Sequence, residues 1–292
     1  MQPFIDAHHH LWNLTECDYP WLMARGETRF FGDPTPIQKN YLLEDFLSES
    51  RRYRPTKSVH IQVGVAALDQ LNESRWLQGL GEYPHAIVAA CDLAADDRDA
   101  QLEQQCQFDK VRGVRQILGR HQLEDRKHNS DQLIESEAFE QGLKRLAALG
   151  LTFDLQLIPQ QMQRTYALLR RIPDLSVALC HCGSPWEQSG EGFRVWKAGL
   201  SALAELPNLV CKVSGVGMFD PNWSQASLEP IVATVIETFG PGRVMLGSNF
   251  PVDKLYRGYE ELWGAYAQLI ASYSELEQTQ MCSRTAERFY RI

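Results

Sequence analysis

The stretch Phe4-Ile5-Asp6-Ala7-His8-His9-His10 stands almost at the start of the chain and decides how the rest is interpreted. Its apolar entry and its alternating polar residues predict a short strand, on which side chains two residues apart point the same way. Asp6, His8 and His10 are therefore expected to share one face, with the Cα atoms of His8 and His10 about 7 Å apart. At that spacing both imidazoles reach one ion or one substrate atom. The pattern favours a functional His-x-His over a tag remnant, while a histidine pair buried for structural reasons stays open.

Composition narrows the class of protein. The 292 residues include 37 acidic and 29 basic side chains, a net charge of −8, with 44% hydrophobic residues. Nucleic acid and anionic membranes are therefore poor partners, and no apolar run approaches the ~20 residues that span a bilayer. The first residues lack the basic and apolar regions of a signal peptide, and seven scattered cysteines indicate reduced thiols. We expect a cytoplasmic protein that acts on a small molecule, and a homo-oligomer is compatible with the sequence.

Strand and helix patterns alternate along the chain. Beyond the first strand, strands are predicted over 58–64, 86–92, 111–116, 151–158, 176–182, 209–215 and 243–250. Helices are predicted over 43–53, 68–82, 98–109, 135–149, 160–171, 191–205, 227–239, 258–271 and 274–290. Eight strands, each followed by a helix, predict an α/β fold, a (β/α)8 TIM barrel formed by one domain over 1–292. A doubly wound open sheet is the alternative, and the missing Gly-rich turn after the first strand counts against it.

A long irregular segment, residues 13–40, follows the first strand. Loops of this length inside a compact domain are usually functional. The segment and the residue before it contain more aromatic side chains than a solvent-exposed loop would carry. They are Trp12, Tyr19, Trp21, Phe30 and Phe31. We expect this loop to cover the mouth of the barrel and Trp21 to contact substrate, the alternative being a plug beneath the outer helices.

Polar residues recur at alternate positions near the end of each predicted strand. Buried strands should be apolar, because burying an unpaired polar group costs several kcal/mol. The polar set is His8, His10, His60, Gln62, Asp92, Arg115, Asp154, Gln156, His181, Lys212, Ser214 and Asn249. Barrel enzymes place their sites at the C-terminal strand ends, so these residues predict a site there. We assign substrate binding to Arg115, Gln62, Gln156 and Lys212, although for His60 and Lys212 a buried structural network is equally compatible. Cys180 and Cys182, on the opposite parity, are expected to face the helices.

Several motifs together resemble the amidohydrolase-2 group of the amidohydrolase superfamily, and within it the lactonase-like branch. They are Asp6-Ala-His-His-His-Leu-Trp, Tyr19-Pro-Trp-Leu, Arg112-Gly-Val-Arg-Gln, His181-Cys-Gly-Ser-Pro, Cys211-Lys-Val-Ser-Gly and Gly247-Ser-Asn-Phe-Pro-Val. The resemblance covers nearly the whole chain and implies a distorted TIM barrel that hydrolyses a ring ester or amide. It implies that His8, His10 and His181 line the site, and that Arg115 binds a carboxylate or a carbonyl oxygen.

Two departures from the family pattern bear on the chemistry. Metal-rich relatives carry lysine or glutamate on strand four and histidine on strand five, where this chain has Arg115 and Asp154 with Gln156. Relatives also carry an aspartate, as ligand and general base, where this chain has Asn249. We predict catalytic roles for His8, His10, His181, Asn249 and Asp253, with Asp253 as the replacement carboxylate; Asp92, Asp154 and a histidine are the other candidate bases.

Function and cofactor follow from these residues. Three histidines suffice to hold zinc or manganese with an open position for water, so His8, His10 and His181 are the predicted ligands if a metal binds. Metal-free hydrolysis of an activated ester stays open, and no organic cofactor is predicted. The sequence favours hydrolysis of a sugar-acid lactone or of a muconolactone- or pyrone-type acid, hence an anionic or polyhydroxylated substrate. The alternatives are a metal-dependent decarboxylase of an aromatic or unsaturated acid, and a catalytically silent binding protein.

Overall fold

Eight parallel strands follow one another around a barrel in the computed structural model, which describes residues 2–121, 124–125 and 130–292. The strands are β1 (Ile5–His9), β2 (Lys57–Ile61), β3 (Ala86–Ala90), β4 (Val111–Ile117), β5 (Thr152–Gln156), β6 (Val177–Leu179), β7 (Leu209–Val213) and β8 (Val244–Leu246). Each pairs with the next in chain order. Hydrogen bonds from Asn249 N to His8 O and from His10 N to Phe250 O, both 2.7 Å, join the segment after β8 to the end of β1. Gly247 allows this close approach, since a Cβ there would lie 2.6 Å from the Cβ of His8. The predicted (β/α)8 barrel is confirmed.

Helices connect the strands and cover the outside of the barrel. The α-helices of the described residues are α1 (Pro20–Met23), α2 (Leu43–Glu49), α3 (Gln70–Gln78), α4 (Arg98–Gln105), α5 (Ser130–Ile134), α6 (Glu137–Ala148), α7 (Met162–Leu169), α8 (Gly190–Ala204), α9 (Val216–Phe219), α10 (Gln225–Phe239), α11 (Tyr259–Leu269), α12 (Glu275–Thr279) and α13 (Thr285–Tyr290). The predicted helix 274–290 is interrupted, because a π-helical turn, Gln280–Arg284, separates α12 from α13. In that same described part, no helix is both long enough and apolar enough to cross a bilayer.

The outer helices bury one stripe each, as α6 illustrates. Ser136 caps this helix by accepting a hydrogen bond from Phe139 N at 3.4 Å. Phe139, Leu143 and Leu146, spaced four and three residues apart, are buried on one face. This spacing gives the apolar stripe that the sequence pattern predicted over 135–149.

The register of β2 differs from the sequence prediction. Val59 and Ile61 belong to the interior cluster that includes Met245 and Tyr290. Alternate residues of a strand face opposite sides, so His60 faces the outer layer. The prediction that His60 belongs to the polar ring inside the barrel was wrong.

An irregularity in β1 decides which of its polar residues face the barrel interior. Ile5 and Ala7 pack in the interior cluster, so Asp6 faces outward and accepts a hydrogen bond from the Tyr259 hydroxyl at 3.0 Å. The pairing with β2 shifts register between Asp6 and His9. Beyond this shift His8 faces the interior, so Asp6 does not share its face as predicted.

The end of β6 makes a tight left-handed turn. The strand ends at Leu179, and His181 and Cys182 have φ values of 55° and 54°. The thiol of Cys180 lies 3.9 Å from an Asp154 carboxylate oxygen in the barrel interior. Cys180 therefore faces inward, contrary to the prediction, while the turn brings the His181 side chain to the barrel mouth.

Candidate active site

A cavity of about 570 Å³ opens at the C-terminal ends of the strands. Its wall consists of His10, Trp12, Trp21, Arg29, Phe30, Phe31, Val63, Gly64, Arg115, Ile117, Arg120, Gln156, His181, Met218, Asn249 and Val252. The long loop after β1 supplies five of these residues (Trp12 to Phe31), which places it over the barrel mouth as predicted. The predicted site residues His10, Arg115, Gln156, His181, Asn249 and Trp21 all line this cavity.

Three histidines come together at the floor of the cavity. The ring of His8 lies 4.5 Å from that of His181 and 5.1 Å from that of His10, measured between centroids. His8 lies behind the other two and does not reach the cavity wall. Neither of its ring nitrogens has a hydrogen-bond partner, although both are buried. Such an unpartnered buried imidazole leaves two nitrogens available to a ligand.

Backbone and hydroxyl groups orient His10 and His181. His10 Nδ1 lies 2.7 Å from the carbonyl oxygen of Ile61, and His181 Nδ1 lies 3.0 Å from the hydroxyl of Ser214. Gly215 permits the close fit of His181, since a Cβ at that position would lie 2.5 Å from its Nδ1. In both rings Nε2 is therefore the nitrogen directed away from the anchoring contact.

All three imidazoles are neutral near pH 7. Burial, together with the smaller effect of the positive charge of Arg115, lowers the pKa of His10 to about 3. Burial and Arg115 likewise place the pKa of His181 well below its usual value. For His8 the causes are burial and the neighbouring His181 and Lys212. Neutral imidazole is the form that accepts protons and binds metals.

Asn249 Oδ1 and His10 Nε2 are two hydrogen-bond acceptors that converge on one position in the site. A neutral imidazole carries one ring proton. In His10 this proton lies on Nδ1, which donates a hydrogen bond to the Ile61 carbonyl. The remaining Nε2 lone pair lies 3.2 Å from Asn249 Oδ1, also an acceptor. Asn249 is held there with a left-handed φ of 55°. Two converging lone pairs suit a cation, or a water molecule that donates both of its hydrogens.

Asp253 reaches this point only through Asn249. Its carboxylate accepts hydrogen bonds from Asn249 Nδ2 at 2.6 Å and from Gly217 N at 2.8 Å, and it does not line the cavity. Burial raises the pKa of Asp253 to about 7, against the effect of both hydrogen bonds. The prediction that Asp253 acts directly as the base is therefore not supported, because the Asn249 amide stands between it and the histidines.

Replacing Asp253 with asparagine should reduce kcat/KM about tenfold to a hundredfold. The carboxylate fixes the amide of Asn249, and a hydrogen bond to a charged group contributes about 1.5–3 kcal/mol. The reciprocal double variant Asn249→Asp/Asp253→Asn should recover part of the loss, since a carboxylate and an amide again face each other. Asp220→Asn, which alters a carboxylate bonded to Ser227, is the control. Unchanged steady-state kinetics of Asp253→Asn would remove Asp253 from the account.

Arg115 projects from β4 into the cavity. One terminal nitrogen donates to the backbone carbonyl of Gln62, another donates to Gln156 Oε1 at 3.4 Å, and Nε is buried without a partner. Gln62 itself does not line the cavity, because its side chain bonds Gly64 N at 2.5 Å and the Arg115 carbonyl at 3.3 Å. Arg115 thus meets no carboxylate at the cavity wall, and the predicted substrate contact of Gln62 is not supported.

Lys212 lies in the barrel interior below the histidines. It is 0% exposed, and its ammonium lies 2.5 Å from an Asp154 carboxylate oxygen, which the Tyr290 hydroxyl also bonds at 3.0 Å. This ion pair holds Lys212 away from the cavity wall, so the predicted substrate contact of Lys212 is not supported. Asp154 is equally occupied and Asp92 is exposed, so neither carboxylate is placed to act as a base at the cavity.

A possible metal-binding group differs from the one predicted. Within the described residues, one ligand atom each of His8, Asp154 and Cys180 lie within 4.8 Å of one another. Lys212 already pairs with Asp154, and burial raises the pKa of the Cys180 thiol to about 12. Of the predicted ligands His8, His10 and His181, only His8 belongs to this group.

Sequence reasoning missed several residues of the cavity region, among them Arg120 and Trp186. Arg120 lies three residues beyond the end of β4, and Trp186 follows the turn after β6. Trp186 packs edge-on against Phe30 with ring centroids 5.4 Å apart, and its Nε1 donates to the Arg120 carbonyl at 3.0 Å. A position just past the C-terminal end of a strand was the available signal for Arg120.

Comparisons with known proteins place the chain in a family and agree with its fold. A family model described as Amidohydrolase matches residues 5–292. The chain is 36% identical over 292 residues to the uncharacterized protein y4mH of Sinorhizobium fredii, across 99% of this chain and 98% of that one. It is 28% identical over 263 residues to an L-fucono-1,5-lactonase of Burkholderia ambifaria, across 86% and 81% of the two chains. A crystal structure of an amidohydrolase from Burkholderia multivorans with bound zinc superposes with a TM-score of 0.84, at 24% identity and 99% coverage of both chains.

Proposed function

Because this chain belongs to the amidohydrolase family of hydrolases, we propose that it opens the ring ester of a lactone by adding water to the ester carbonyl. The observation that carries the proposal is the cavity in which neutral His10 and His181 share one wall with the Arg115 guanidinium. A sugar-acid lactone and a muconolactone- or pyrone-type lactone are the candidate substrates. A relative named for lactonase activity supports the reaction class.

The residues suggest a role for each side chain in this reaction. His10 Nε2 and Asn249 Oδ1 accept the two hydrogens of one water molecule and leave its oxygen lone pair directed at the substrate carbonyl carbon. Arg115 stabilises the negative charge that develops on the carbonyl oxygen. His10 takes a proton from the attacking water and returns it to the ring oxygen as that C–O bond breaks, which gives a carboxylic acid and an alcohol. The negative charge of the oxyanion stabilises protonated His10, and this offsets the low basicity that results from burial.

A divalent cation such as zinc or manganese is compatible with the same residues. His8, His10 and His181 would hold it through unprotonated nitrogens, with Asn249 Oδ1 beside them. The ion would supply a Lewis acid for the carbonyl oxygen and would lower the pKa of bound water. A zinc-bound structural relative is consistent with this assignment.

A catalytically silent binding protein is the second candidate, and Asn249 is the observation that favours it. An amide cannot accept a proton near neutral pH, and Asp253 does not reach the cavity. Hydrolysis by this chain therefore depends on His10 as the base.

The test is a screen of sugar lactones and of muconolactone-type lactones, with and without added zinc or manganese, followed by acid release. Ring opening of at least one lactone, faster than in buffer, is expected. Tight binding of a lactone that stays closed with and without added zinc or manganese would favour the catalytically silent binding protein.

Arg115→Lys should lower kcat/KM by at least about tenfold and raise KM. A guanidinium offers a planar pair of donors that an ammonium cannot copy, and tenfold corresponds to about 1.4 kcal/mol. Arg112→Lys is the matched control, since Arg112 lies on the same strand and bonds the carbonyl of Val111 at 3.1 Å. Equal steady-state kinetics for Arg115→Lys and Arg112→Lys would exclude Arg115 from substrate binding.

A further inference from the structure

The Arg120 guanidinium lines the cavity; the carboxylates of Glu124 and Asp125 lie near it, but neither forms an ion pair with it. Its backbone is fixed from both sides, since its N–H donates to the Asp125 carboxylate at 2.9 Å and its carbonyl accepts from Trp186 Nε1 at 3.0 Å. Across residues 2–121, 124–125 and 130–292, no hydrogen bond or ion pair of its side chain is found. A half-buried guanidinium whose N–H groups at a cavity wall have no hydrogen-bond partner is suited to bind an anion from outside.

The other arginine on the same side of the cavity is already satisfied. Arg29 forms two hydrogen bonds with Glu124, at 3.2 and 3.1 Å, and lies over the rings of Trp21 and Phe31 at 5.5 and 5.9 Å. Arg115 bonds only neutral oxygens. No carboxylate is among the described residues that line the cavity, so Arg115 and Arg120 both give the wall positive charge.

The remaining wall is mostly apolar and aromatic. Its apolar residues are Trp12, Trp21, Phe30, Phe31, Val63, Ile117, Met218 and Val252. The neutral amides of Gln156 and Asn249 already bond Arg115 and Asp253. Hydroxyl groups of a polyhydroxylated ring would thus meet few free partners, and an unpaired buried hydroxyl weakens binding. A flat, unsaturated ring packs against such walls without this loss.

We infer that Arg120 binds a carboxylate carried by the substrate outside its ring ester, so that the site selects an anionic, unsaturated lactone over a sugar lactone. The inference rests on the proposed lactone hydrolysis and adds the substrate class and the residue that selects it. Arg115, deeper in the cavity beside the histidines, then faces the ester carbonyl, while Arg120 holds the second anionic group nearer the loop.

The test compares three lactones on the full-length protein. Muconolactone carries a carboxylate on an unsaturated ring, 5-methyl-2(5H)-furanone is the same ring without the carboxylate, and L-fucono-1,5-lactone is a neutral sugar lactone. We expect kcat/KM for muconolactone to exceed that for either neutral lactone at least a hundredfold. Arg120→Met should reduce the muconolactone value at least tenfold more than the furanone value, and Arg120→Lys should recover part of that loss.

Calorimetric binding of muconolactone separates this inference from the proposed reaction. Binding at least tenfold weaker to Arg120→Met than to wild type supports the role of Arg120 even if the ring stays closed. In that case only the proposed hydrolysis is wrong. Preference for L-fucono-1,5-lactone, or equal loss on muconolactone and the furanone, overturns the inference while lactone hydrolysis stands. Melting temperatures of both variants verify that they are folded.

Discussion

Replacing His10 with alanine is expected to lower kcat/KM for the lactone by about a thousandfold. Proton transfer by a positioned side chain contributes typically 10²–10⁴-fold, and His10 is the group that has both the lone pair and the position for it. Its Nδ1 is anchored on the Ile61 carbonyl at 2.7 Å, so Nε2 points to the place where Asn249 Oδ1 also lies. The loss should appear mainly in kcat, because the aromatic walls, Arg115 and Arg120 are still present to bind the substrate.

His9 supplies a control for this variant. It is equally buried but faces the outer layer, where it stacks on Phe46 with ring centroids 4.3 Å apart and lies 2.9 Å from the Ser58 hydroxyl. His9→Gln should therefore keep kcat/KM within a few-fold of wild type wherever thermal melting shows that it is folded. A His10→Ala enzyme as active as His9→Gln would contradict the assignment of His10 as base.

Lys212→Met should destabilise the fold by about 3–5 kcal/mol, because it leaves the Asp154 carboxylate buried without its counter-charge. Both side chains are 0% exposed, and Tyr290 of α13 bonds the same carboxylate. Unfolding in guanidinium chloride, followed by circular dichroism, measures the free energy of unfolding. Lys212→Met/Asp154→Asn should recover most of the loss, since no buried charge then remains unpaired. A loss below about 1 kcal/mol for the single variant would show that the pair is unimportant for stability.

Periodicity and residue chemistry predicted the fold and several residues of the candidate site. Alternation of strands and helices predicted the barrel, because parallel strands need crossover helices between them. The positions of His10, Arg115 and His181 near strand ends predicted their meeting at one face, since all strands of a TIM barrel end together. The aromatic content of the loop after β1 predicted its place over that face.

The errors arose where the backbone departs from a regular strand. The register shift in β1 separates Asp6 from His8. At the end of β6, Cys180 faces inward contrary to the prediction, while the left-handed turn still brings His181 to the cavity. Strict alternation of side chains cannot reveal such irregularities. The pairing of Lys212 with Asp154 needs a partner 58 residues away across the barrel, which no local pattern shows.

Isotope labelling tests the central claim most directly. The lactone identified in the screen is incubated with the enzyme in ¹⁸O-labelled water, and the product is analysed by mass spectrometry beside a headspace measurement of carbon dioxide. The account predicts enzyme-dependent ring opening, with one labelled oxygen in the new carboxylate and no carbon dioxide. Release of carbon dioxide, or a lactone that binds and is recovered with its ring intact, would contradict it.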